Sequence, residues 1–456
     1  MKLRRIDLAQ GERLTTAVLA RSGGIDDEIV ATAASIVRDV RDRGDEALFE
    51  YGEKFDGVSK DMLGDLRVTQ AEIDAAFTQV DKSLISALMF SAEQIRDFHL
   101  RQVRQSWFTT QQGGIFLGSK VTPLARVGIY VPGGRAQYPS TVLMNTLPAV
   151  CAGVEDIVMV APPQKDGSIS PYTLVAASIA GVSEIYKVGG AQAVAALAYG
   201  TDSIAPVDKI VGPGNAYVAA AKKLVSGDVG IDMIAGPSEV LVLADETSIP
   251  AFVAIDMMAQ AEHDPRAATY LVTTDPDMVE MVEQSIDILM EDSTRAEITT
   301  ASLRDNGVAI VCADTADALA ASDFIAPEHL EVHMEHPLEL LGDIHNAGAI
   351  FLGPWTPEAI GDYVAGPNHV LPTGGTARFS SPLSVDDFTK RSSVLSYSLE
   401  ALDTDGPVVT RIAEKEELWA HVRSVTLRLE MLDAFSEREE PEDEIDGEDV
   451  GNEQEG

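Results

Sequence analysis

Hydrophobic positions fall into two rhythms along this chain. In DDEIVATAASIVRDVRDRGDEALFEYGEKF, Ile29, Ala33, Ile36, Val37 and Val40 recur at three- and four-residue spacing, which predicts an amphipathic helix. AEIDAAFTQVDKSLISALMFSAEQIRDFHLRQV predicts a second long helical stretch, interrupted partway. From about residue 114 the texture changes to short β-branched runs, glycine turns and Ala-rich helices. RVGIYVPGG (126–134), DIVMVAPP (156–163), EIYKVGGAQAVAALAYG (184–200) and KIVGPGNAYVAAAKKL (209–224) are the clearest cases. EVLVLAD, TYLVTT and VAIVCAD continue the alternation to residue 314. Strands alternating with helices predict βαβ units, parallel-type sheets and an α/β fold. Residues 1–23 read as an arm, and after about 385 the pattern turns helical again before dissolving into acid.

Charge changes this picture more than composition does. The chain has 456 residues, 34 basic and 73 acidic, for a net charge of −39. The tail 437–456 holds 11 acids and one Arg, so −29 lies elsewhere, and the tail itself is expected to be disordered. Nucleic-acid binding needs a basic footprint and is not expected. Only 12 of the basic residues are Lys, and an acidic, Lys-poor surface points to a halophilic protein, since 1 M salt screens charge beyond roughly 3 Å. No apolar run is long enough to span a bilayer, and the charged first twenty residues lack a signal-peptide core, so a cytoplasmic location is expected. Two cysteines offer neither a disulfide framework nor a four-thiolate metal site.

Candidate chemistry gathers at a few turns. VPGG, VGGAQA and VGPGNA place glycines where strands hand over to helices, with Tyr130, Gln192 and Asn215 at the mouth. Such turns aim backbone N–H groups at anions, which favours a nucleotide cleft, although ordinary βα turns also use glycine. Ser238 follows Gly-Pro just before a strand and suits a turn. Gln260 and His263 close the apolar stretch IPAFVAIDMMAQAEH three residues apart, on one helix face. IAPEHLEVHMEH carries three of the eight histidines; a solvated helix face accounts for His333 and His336, whereas Glu328-His329 sits at the start of an element and offers two titrating groups. Asp362 and His369 lie in the Gly/Pro-rich AIGDYVAGPNHVLPTGG, and His421 lies on a helix face with Val425 and Leu429. His, carboxylate and amide donors suit zinc, with manganese or cobalt as substitutes, although side-chain amides are uncommon zinc ligands.

GIYVPGGRAQYPSTVLMN, VGGAQAVAALAYGT, KIVGPGNAYVAAAK, IDMIAGPSEVLVLAD, QAEHDP, APEHLE and GPNHVLPTGGTARFSSPLSVDDF together resemble the histidinol dehydrogenase family, in order and spacing, to about residue 436. The resemblance implies oxidation of L-histidinol to L-histidine by two NAD⁺, through bound L-histidinaldehyde, at the end of histidine biosynthesis. It implies one Zn²⁺ per active site on Gln260, His263 and Asp362, with His421 of the partner subunit. Glu328 and His329 match the family's catalytic carboxylate and base. Ser238, His369 and Glu416 match substrate contacts, with Glu417 the neighbouring alternative for the last, and the metal ligands and catalytic pair also touch substrate. Tyr130, Gln192 and Asn215 match cofactor positions. It further implies two incomplete Rossmann-like domains, 24–128 with 237–384 and then 129–236, and a C-terminal helical arm, 385–436, within an intertwined homodimer. Two rival readings are a zinc hydrolase in which Glu328 activates water, and a non-catalytic metal-binding descendant.

Overall fold

The fold rests on two parallel sheets whose strands are so apolar that both faces must be covered. The computed structural model describes residues 1–16, 25–133, 138–234 and 236–436; the acidic tail lies outside them. The chain divides into two units, Met1–Val103 with Pro123–Lys390, and Arg104–Thr122 with Arg391–Gly456.

In the first unit, one sheet has six strands in the order Arg4–Asp7, Gly307–Val311, Ala268–Thr273, Glu239–Ala244, His329–Val332 and Ala349–Leu352, all paired in parallel. EVLVLA is buried at all six positions, as a strand covered on both faces requires. Val240, Val242 and Ala244 enter one core, and Leu241 and Leu243 the other. The second sheet has five strands in the order Glu184–Lys187, Asp156–Ala161, Arg126–Tyr130, Lys209–Val211 and Gly230–Ile231, again all parallel. Ile157 and Met159 face one layer of helices, Val158 and Val160 the other.

The N-terminal helices settle on the five-stranded sheet. Ala33, Ile36, Val37 and Val40 of the Asp27–Arg43 helix pack with Ala193, Val194 and Val218. The expected interruption falls at Val80-Asp81, between helices Gln70–Gln79 and Lys82–Leu100, with Asp81 accepting from the Ser83 N–H at 2.7 Å. Leu88, Ala92 and Ile95 pack with Val142 and Leu143. Residues 27–100 therefore pack with the sheet of 129–236, while the Lys82–Leu100 helix also meets 237–384, Ser91 donating to the Tyr363 carbonyl and His99 lying 3.4 Å from Asn368. A stripe of Ala, Ile and Val specifies that a face is buried and leaves open against which sheet.

Two expectations need correction. The arm 1–23 contains the edge strand Arg4–Asp7, paired with Gly307–Val311. The segment 385–436 is not wholly helical, because it begins with a 3₁₀ turn, Val385–Phe388, and the strand Thr389–Ser396. That strand lies in a three-stranded sheet beside Ile115–Pro123 and Trp107–Gln111. Helices Leu399–Lys415 and Trp419–Ser436 then pack on each other, with Gly406 leaving room for Val425 and Leu429.

Candidate active site

Glu328 and His329 stand at the amino end of a central strand of the six-stranded sheet. The Thr315–Ile325 helix ends with Ala326 in the left-handed region at φ 48, and Pro327 then turns the chain into the His329–Val332 strand. The neighbouring strand holds both side chains through one residue's backbone. The Glu239 N–H donates to Glu328 Oε2 at 2.9 Å, and His329 Nδ1 lies 3.2 Å from the Glu239 carbonyl. If Nδ1 donates there, Nε2 is the nitrogen left to exchange a proton. Burial pushes the Glu328 carboxyl up to about 7, against the pull of His329 and of the Glu239 N–H.

His329 sits among acids. Its Nδ1 is 3.8 Å from Glu358 and 4.0 Å from Glu328, and its Nε2 is 3.7 Å from Asp362 Oδ1. Burial lowers the imidazole, but Glu358, Glu328 and Asp362 outweigh it and raise the group to about 10. Asp362, on the short helix Glu358–Tyr363, shows the reverse balance. Burial would raise its carboxyl, yet His329, His369 and His263 hold it below the usual range. His263 and His369 are themselves lowered by burial, with Asp362 opposing. Asp362 is thus the electrostatic centre on which three imidazoles converge.

Gln260 is fully buried in the last turn of the Pro250–Ala261 helix, and neither amide atom has a hydrogen-bond partner. His263 lies just past that helix, its N–H donating to the Gln260 carbonyl at 3.2 Å. A buried primary amide without partners is costly, and a ligand that accepts its oxygen removes the cost. Among the described residues the groups whose ligand atoms lie within 4.8 Å of one another are His329, Glu358 and Asp362, and Asp256, Glu331 and His333. Ser238 directly precedes Glu239, and its carbonyl accepts from the Ala268 N–H at 3.0 Å.

Sequence reasoning missed or misplaced several groups. Glu358 is four residues before Asp362 on one helix, a spacing that was available as a signal. Burial pushes it up to about 8, with His329 opposing. His333 is not on a solvated helix face: it directly follows the strand His329–Val332 and continues its pairing, its N–H donating to the Leu243 carbonyl at 2.9 Å. His333 is 3% exposed, 3.5 Å from both Asp256 and Glu331. His336 is the solvated one.

Tyr130, Gln192 and Asn215 all line one cavity of about 780 Å³ at the carboxyl ends of the five-stranded sheet. Helices Gly190–Tyr199 and Ala216–Val225 begin beside it. The Tyr130 hydroxyl accepts from the Gly190 N–H at 3.0 Å, and Gln192 is buried with Oε1 unpartnered. Asn215 caps its helix, accepting from the Tyr217 and Val218 N–H groups at 3.0 and 3.1 Å. At Gly212 φ is +115, and a Cβ would come within 2.1 Å of the Tyr130 carbonyl oxygen, so the turn requires glycine. The first unit thus gathers Glu328, His329, Asp362, His263 and His369, with Gln260 one turn from His263. Glu416 and His421 belong to the second unit, at the end of the Leu399–Lys415 helix and in the first turn of the Trp419–Ser436 helix, and both are exposed.

Residues 19–429 match the family model of histidinol dehydrogenase. The chain is 53% identical over 396 residues to histidinol dehydrogenase of Halalkalibacterium halodurans, covering 87% of this chain and 93% of that protein. It is 52% identical over 413 residues to the Geobacter metallireducens protein of the same name, covering 91% and 94%. The crystal structure of histidinol dehydrogenase from Elizabethkingia anophelis superposes with a TM-score of 0.89 at 36% identity, covering 94% of this chain and 99% of that one.

Proposed function

Because the chain belongs to the histidinol dehydrogenase family, oxidoreductases that oxidise histidinol in histidine biosynthesis, we propose that it takes L-histidinol to L-histidine in two NAD⁺-linked steps, keeping L-histidinaldehyde bound between them. The observation that carries this reading is the electrostatic hold of His263, His329 and His369 on Asp362, together with a buried Gln260 amide without partners. Gln260, His263 and Asp362, with His421 of the partner subunit, would hold Zn²⁺. When bound, the ion would orient the amino alcohol and polarise its oxygen.

The chain's own residues handle protons and position. His329 Nε2 takes the alcohol proton as hydride leaves the adjacent carbon for the nicotinamide. Glu328, with a carboxyl at about 7, then helps add water to the aldehyde, and a second hydride leaves the hydrate to give the carboxylate. Ser238, His369 and the partner subunit's Glu416 contact substrate, and the cavity at Tyr130, Gln192 and Asn215 receives NAD⁺, with phosphates at the two helix N-termini.

Exposed Val408, Ile412, Leu418 and Trp419 in the second unit support burial against another copy of the chain, hence a homodimer with shared sites. The two sheets serve as the bases of the two incomplete Rossmann-like domains. No helix among the described residues is long and apolar enough to cross a membrane, and we take the protein as a cytoplasmic, salt-adapted enzyme. The decisive assay is NADH production from histidinol in KCl, before and after chelation. Two NADH per histidinol, lost on chelation and regained with Zn²⁺, is the expected result; one or none refutes the reading. His329→Ala should lower kcat far more than it raises KM for histidinol.

A further inference from the structure

A rare piece of backbone opens onto the cofactor cavity. The Asp45–Tyr51 helix runs into a π-helical turn, Gly52–Asp56, closed by Gly57 at φ +73. Such turns are uncommon, and they re-aim side chains that an α-helix would place elsewhere. Here Phe55 and Asp56 line the cavity that also holds Tyr130, Gln192 and Asn215. Asp56 Oδ2 is buried without a hydrogen-bond partner, and among the described residues no donor or cation acts on the carboxylate. Burial pushes its pKa up to about 6, so at neutral pH it remains mostly an anion lacking donors. An ionised carboxylate is costly in such a place unless a ligand supplies the O–H or N–H groups.

Among the described residues lining the cavity, Asp56 is the one acid and Lys165 the one base. The glycine turns and helix N-termini at Gly190 and Asn215 suit a pyrophosphate. The π turn presents an aromatic ring, Phe55, 51% exposed, next to the lone carboxylate. A flat ring beside a carboxylate matches a nucleoside, with the base on the ring and the ribose diol on the acid.

We propose that Asp56 binds the adenosine ribose hydroxyls of the dinucleotide and so selects NAD⁺ over NADP⁺. Two vicinal hydroxyls satisfy the carboxylate, whereas a 2′-phosphate would bring two negative charges against it. The proposal rests on the cavity being the cofactor site.

The test compares wild type, Asp56→Ala and the near-isosteric Asp56→Asn in steady-state assays with histidinol. The cofactors are NAD⁺, NADP⁺ and an NAD⁺ analogue lacking the adenosine 2′-hydroxyl. Losing a charge-assisted hydrogen bond corresponds to about 10- to 100-fold, so the variants should raise KM for NAD⁺ by about that factor and leave KM for histidinol in place. Wild type should prefer NAD⁺ to the deoxy analogue, and Asp56→Ala should lose that preference along with most of its bias against NADP⁺. An unchanged KM for NAD⁺, or an undiminished preference over the deoxy analogue in both variants, overturns the assignment. So does an equal rise in both KM values, which would mark Asp56 as structural. If wild type neither binds NAD⁺ nor forms NADH, the functional reading itself fails and the assignment falls with it.

Discussion

In the metal-free protein His329 should be an unusually basic imidazole, and one substitution should largely undo that. Its ring lies 3.8 Å from Glu358, 4.0 Å from Glu328 and 3.7 Å from Asp362. Coulomb's law with an effective dielectric of about 20 gives about 4 kcal/mol for a unit pair at the Glu358 distance, or ~3 pH units. Glu358 itself titrates at about 8, so it is an anion where this imidazole loses its proton, and burial of the ring offsets part of the gain. Glu358→Gln removes this partner while keeping shape, so the His329 pKa should fall from about 10 toward neutrality. Zn²⁺ should act in the same direction by neutralising Asp362. The sign for stability follows: a raised imidazole favours the folded state below pH 6.5, and that contribution is lost as pH climbs through 10. Imidazole ¹⁵N shifts followed from pH 5 to 11 on chelated wild type and Glu358→Gln would report the pKa directly. A chelated wild-type His329 titrating at or below 6.5 refutes the electrostatic account.

Three further outcomes are expected. Mixing inactive His263→Ala and His421→Ala proteins should restore part of the NADH-forming activity; continued inactivity of verified mixed dimers would sink the shared site. Gly212→Ala should lower the thermal midpoint and cost about 2–4 kcal/mol, because it combines φ +115 with a Cβ 2.1 Å from a carbonyl oxygen; an unchanged melt would contradict that packing. With −39 net charge, raising KCl from 0.1 to 2 M should raise the melting midpoint, and a flat response removes the halophilic reading.

What the sequence made legible follows from burial. After Glu239, VLVLA has no polar position, so a strand covered on both faces is its natural reading, and all six residues of EVLVLA are buried. The spacing of Gln260 and His263 marked a helix end carrying donors, and that is where they stand. Polar positions on a buried face were harder. His329, Glu331 and His333 break the usual rule for a buried strand, so His333 read as part of a solvated helix face; carboxylate and imidazole partners account for the burial. The exposed strand Thr389–Ser396 carried no apolar alternation to announce it. Phe55 and Asp56 were silent because a π turn has no recognisable sequence period. The partner sheet of residues 27–100 was likewise hidden, since it depends on contacts far apart in the chain.

The backbone of residue 239 grips both Glu328 and His329, the pair proposed for catalysis, one through its amide and the other through its carbonyl. Replacing the side chain at that position leaves the grip in place, so point mutation there has little purchase on the geometry. What could loosen it is slippage of one strand past its neighbour, which would have to break the whole ladder from Val240 to Leu243 at once. Catalytic alignment in this enzyme is therefore as durable as the sheet itself, and inherited drift in activity should arise from the acids and imidazoles facing the pair.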